Sequence, residues 1–213
     1  EFDTGSALFQ TADEYERLVS NPIRDGKEMS KRQMVAAETQ RGAIRLSQVN
    51  PESDPIDSVG GVSFRHLSML AQIKSSDEDV WSSLNRSGHI EGDPSDSLRV
   101  RLARMRSWIG GPHFPEDAKL EIRSEIRDDA RAEIGEDGIS FLRKLSDLLS
   151  ECEWTDAGIG ESISKACDST GVSRKEGFAS IYWAIIGRRN GPKASSLLFE
   201  IERGDVVSLL GSS

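Results

Sequence analysis

The sequence predicts an all-α protein of two helical sub-bundles joined by an irregular segment. Three observations carry this. Apolar residues recur at helical spacing along most of the 213 residues, as in Leu8, Ala12, Tyr15 and Leu18. The breaks between these stretches are rich in Pro, Gly, Ser and Asp. Apolar residues make up 36% and charged residues 30%, which suits helices with one buried and one solvated face. The length fits one domain or two small ones and suffices for a substantial core.

The first helix carries the Leu8–Leu18 stripe and stops at "SNPIRDG", residues 20–26, because Pro cannot continue a helix. Residues 28–49, rich in Ala, Gln, Arg, Met and Leu, read as a long second helix. "NPESDPIDSVGG", 50–61, is an acidic loop, expected to be mobile. Ser63 then caps a third helix, with Val62 and Leu67 as a hydrophobic staple and Phe64, Leu67, Leu70 and Ala71 facing inward. A short helix over 79–84 and another over 97–109 follow, separated by a polar loop.

"GGPHFPEDAKLEI", 110–122, breaks the pattern, and "KLEIRSEI" alternates apolar and polar residues like a short extended segment. "RDDARAEIGEDG" is a charged connector. The expected division is a helical bundle over 1–112, a connector over 113–136 and a C-terminal helical domain over 137–213. Within the last, helices are expected at 138–150, 156–169, 175–186, 192–202 and 206–210.

The corner after the third of these is the most informative stretch. Phe178, Ile181, Tyr182, Ile185 and Ile186 fall on one face, which is read as buried. Ser173 caps this helix and Glu176 completes a capping box. Gly187 suits a left-handed C-terminal cap, and Pro192 the first turn of the next helix. Arg188 and Arg189 then occupy an exposed corner, Lys193 follows, and Arg174 and Lys175 lie at the far end. Cations near a helix C-terminus are favoured by its dipole, so the corner is either an ordinary helix end or a surface offered to an anion.

"GFASIYWAIIGRRNGPKASSLL" is similar to the C-terminal end of class I lysyl-tRNA synthetases. "FDTGSALFQTADEYERLV", "RGAIRLSQV", "VSFRHLSMLAQI" and "RMRSWIGGPHFPEDAKLEI" resemble earlier helices of that family, in the family's order. Ser63 stands where the family pattern has Pro, and Lys193 where it has Arg; Lys keeps the charge without the bidentate fork. The resemblance implies an α-helix cage that engages the anticodon stem-loop of lysine tRNA. It implies a parent enzyme whose catalytic domain lies N-terminal and uses ATP and Mg²⁺, in the cytoplasm. This chain, read as a fragment of it, is then expected to be inactive alone and to bind no cofactor. RNA contacts are expected from Arg188, Arg189 and Lys193, then Arg174 and Lys175, with Arg65 and Gln72 on the third helix and Trp183 as a stacking surface. The helical cage of a glutamyl-tRNA synthetase and a helical protein-interaction module without RNA binding are the alternatives.

The net charge of −9 favours the interaction module, since phosphate binding wants a positive footprint, but a local basic face can coexist with an acidic remainder. Arg99, Arg101, Arg104 and Arg106 put four cations on one helix, either a solvated face or a phosphate track. Other signals carry no chemistry. "KEMSK", 27–31, opens a helix rather than forming a nucleotide loop. His66, His89 and His113 are scattered. Cys152 and Cys167 have no histidine cluster and read as reduced thiols in a helical core. No apolar run reaches the roughly 18 residues of a membrane span, and no secretory signal opens the chain.

Overall fold

The computed structural model describes residues 6–20, 29–48, 50, 52 and 61–212. Most of the acidic loop at 50–61 lies outside them. Among the described residues every regular element is a helix. No helix there is long and apolar enough to cross a membrane. The chain divides into two compact units, one built from residues 1–71 and 76–119, the other from 72–75 and 120–213.

In the first unit, α1 (Ser6–Ser20) packs on α2 (Lys31–Ser47). Ser30 starts α2 with a capping box in which Gln33 reciprocates, so "KEMSK" ends in a helix N-terminus. Ser63 starts α3 (Phe64–Ile73) by accepting the His66 N–H at 3.2 Å, and Val62 and Leu67 are both fully buried. After it come α4 (Asp77–Arg86) and α5 (Asp96–Ile109), capped by Ser76 and Ser95. Phe9, Phe64, Trp108 and Phe114 form one aromatic cluster. His66 and His89, separate in sequence, stack with ring centres 4.5 Å apart.

The second unit is built on α6 (Asp128–Glu151), against which α7 (Asp156–Thr170), α8 (Arg174–Ile186) and α10 (Arg203–Gly211) pack. The short α9 (Ala194–Phe199) lies on α7. Phe141, Leu142, Leu145 and Leu149 of α6 are fully buried, as are Ile159, Ile181, Ile185 and Leu198 of its partners. The charged run up to residue 136, expected to be a connector, is helical from Asp128. Two aspartates favour the helix N-terminus, and Ala130 and Ile134 form a buried i, i+4 pair. The kink comes at Gly135, whose φ of 69° other residues rarely adopt. "KLEIRSEI" is irregular and joins no sheet. The helix expected over 192–202 is shorter, and Pro192 precedes it rather than occupying its first turn.

Candidate nucleic-acid interface

The inner stripe of α8 differs from the expected one. The buried residues are Gly177, Ser180, Ile181, Ala184, Ile185 and Ile186, so Ile181, Ile185 and Ile186 of the expected stripe are inside and Gly177, Ser180 and Ala184 join them. Small residues let α8 approach α6 closely. A Cβ at Gly177 would lie 2.9 Å from Cys167 Sγ and 3.1 Å from the Phe141 ring. Burial pushes the Cys167 thiol above its ordinary range. The consequence of this register is that Phe178 turns outward and is 38% exposed, contrary to the expected stripe.

The two ends of α8 carry separate groups of cations. Its 13 residues span about 20 Å, so Arg174 and Lys175 do not share a patch with Arg188 and Arg189. Arg174 and Lys175 are exposed, and no hydrogen bond or ion pair holds either side chain among the described residues. Ser173 caps the helix by accepting the Glu176 N–H and donates to the Glu176 carboxylate at 2.7 Å. That bond holds the Glu176 carboxyl below the usual range, with Lys175 and Arg189 adding their charges.

At the other end, Gly187 adopts the expected left-handed cap with φ 64°. The backbone N–H of Arg123 donates to the Ile185 carbonyl at 2.8 Å, and its guanidinium covers Gly187. Asp129 is its ion-pair partner at 3.9 Å. No local signal marks Arg123, which sits in an irregular segment 64 positions before the corner. Arg188 is half-buried rather than exposed, whereas Arg189 is exposed. Tyr182 donates its hydroxyl to the Pro192 carbonyl at 2.6 Å, and burial pushes its pKa up.

Lys193 is exposed but pairs with Asp156, which also accepts from Ser196 at 2.8 Å. Burial raises the Asp156 pKa, but the hydrogen bonds from Lys193 and Ser196 outweigh it and hold the carboxyl below its ordinary range. Trp183 is half-buried and lines a cleft of about 450 Å³ with Arg189, Glu133, Glu136, Asp137 and Glu176.

The two third-helix residues have partners within the chain. Arg65, in the first unit, pairs with Asp13 at 2.7 Å and lies over the Phe9 ring. Gln72, counted with the second unit, accepts the Leu120 N–H at 2.7 Å. On α5, Arg101 donates to the Val62 carbonyl and Arg106 pairs with Asp77 at 2.6 Å, so only Arg99 and Arg104 of that row are exposed.

No protein-family model matches the chain. Curated relatives do. The lysine–tRNA ligase of Pyrococcus horikoshii is 25% identical over 172 residues, covering 78% of this chain and 32% of that protein. That of Thermoplasma volcanium is 24% identical over 214 residues, 100% of this chain and 39% of that protein. That of Methanopyrus kandleri is 26% identical over 215 residues, 93% of this chain and 36% of that protein. The chain is therefore similar to lysine–tRNA ligases along most of its length, and spans 32 to 39% of the length of these three.

Proposed function

We propose that this chain is the helical, RNA-engaging part of a lysine–tRNA ligase of class I and holds the anticodon stem-loop of lysine tRNA. The observation that carries the reading is the similarity to lysine–tRNA ligases running through nearly the whole chain. The surface of α8 supports it. In a chain of net charge −9, that helix offers Arg174 and Lys175 at one end and Arg189 at the other, outside the hydrophobic contacts that hold the fold. Cations so placed can neutralise phosphates on both sides of a loop. Splayed loop bases would then be read by polar and aromatic groups between them.

Lysine activation with ATP and Mg²⁺, and esterification of the tRNA, belong in this reading to residues beyond this chain, in the cytoplasm. Ser30 caps α2, and Lys193 near the Gly-Pro turn is paired with Asp156.

Gel-shift competition between lysine and glutamate tRNAs tests the proposal. The unaltered chain should bind the lysine tRNA more tightly, with affinity falling steeply as salt rises, and the Arg188→Ala, Arg189→Ala double variant should lose most of it. Binding that ignores salt, or no binding, would support an interaction module instead. Preference for the glutamate tRNA would support the glutamyl cage.

A further inference from the structure

We infer that Phe178 is a platform for one unstacked nucleobase, with Arg174 and Lys175 holding the phosphates beside it. This rests on the RNA reading above and names the contact within it.

The inner face of α8 is made of Gly177, Ser180, Ile181, Ala184 and Ile185. Phe178 stands outside this face and leaves 38% of its surface in water. The covered part of the ring fixes it in place, and the exposed part offers an apolar surface to a planar partner. Arg174 stands four residues before it and Lys175 three, so both side chains are its neighbours on the helix surface. Neither serves the helix, because cations in a first turn oppose the dipole. Neither is held by a hydrogen bond or ion pair among the described residues.

An exposed ring flanked by two cations that no hydrogen bond or ion pair holds among the described residues matches a nucleotide in a single-stranded loop. The ring takes the face of the base and the cations take its two phosphates. Trp183 is a poorer platform. Glu133, Glu136 and Asp137 line its cleft, with Arg189 as the one cation among the lining residues, and would repel the phosphates that accompany a base. Tyr182, one turn beyond Phe178, is tied to Pro192 and closes the face on that side.

The experiment uses the 213-residue chain, a lysine anticodon stem-loop with 2-aminopurine in the loop, and the blunt duplex of its stem. Phe178→Leu keeps the bulk and removes the ring; Phe178→Trp keeps a stacking surface. Phe178→Leu should weaken stem-loop binding about ten-fold or more, abolish the quenching of one loop position, and leave duplex binding unchanged. Phe178→Trp should restore both affinity and quenching. Unchanged stem-loop binding by Phe178→Leu, or equal weakening toward the duplex, overturns this inference and leaves the RNA reading standing. No binding of the stem-loop by the unaltered chain overturns both.

Discussion

The guanidinium of Arg123 occupies the space beside Gly187 where any larger residue would place its Cβ, 1.8 Å from the guanidinium carbon. Gly187→Ala must therefore both move Arg123 and adopt φ near 64°. We expect a loss on the order of 2 kcal/mol in urea unfolding. Adding Arg123→Ala should recover only the part due to the clash, leaving about 1 kcal/mol of backbone strain. Full recovery by the second change would show that the left-handed cap contributes nothing.

Gly177→Ala sets helix propensity against packing. Alanine gains about 1 kcal/mol as a helix former. Overpacking against Cys167 and the fully buried Phe141 costs about 1–3 kcal/mol. The packing cost should win, lowering the urea midpoint. Gly42→Ala and Gly160→Ala meet nothing within 4 Å and should raise it. A stabilised Gly177→Ala would mean that α8 does not approach α6 as described.

Asp156 makes the second unit acid-sensitive. Its folded pKa is depressed, so the contribution is fully present above the unfolded value, about 3.9, and is lost as pH falls through the lower folded value. Asp156→Asn should therefore destabilise at neutral pH and flatten the stability profile below about pH 4. Lys193→Met should produce the same flattening. Parallel pH profiles for the unaltered chain and both variants would contradict the pairing.

Removing Arg174 and Lys175 together should reduce the slope of log affinity against log salt by about 1.4 for a loop RNA, roughly 0.7 per phosphate contact. Fluorescence anisotropy at several salt concentrations measures this. Arg65→Ala should leave the slope unchanged and instead lower stability, since that side chain is engaged with Asp13 and Phe9.

The thiols should differ in reactivity. Cys167 is buried, and burial raises its pKa, so under native conditions it should react with a thiol reagent far more slowly than the half-buried Cys152. Equal rates would place Cys167 at the surface.

Helix positions were legible where caps and breakers punctuate the chain: Ser63, Ser173 and Gly187 all act as their neighbours implied. In α8, Ile181, Ile185 and Ile186 are buried as expected, whereas Phe178 is exposed and Tyr182 half-buried. Counting large apolar residues selects Phe178 and Tyr182, whereas close helix packing is made by Gly177, Ser180 and Ala184, which hydrophobicity barely scores. The charged run at 128–136 was misread for a related reason, since its two buried apolar residues are outnumbered by solvated charges. Contacts between distant segments carry no local signal. Arg123 at Gly187, Gln72 at Leu120 and Arg65 at Asp13 appear only once the chain is folded.

The turn from Gly187 to Lys193 is clamped on three sides, by Arg123 over its start, by Tyr182 at Pro192 and by Asp156 at its end. Between those clamps, Arg189 and Asn190 are exposed, and Arg189 lines the cleft beside Trp183. A different pair of side chains can thus stand at these two positions without disturbing any of the three clamps.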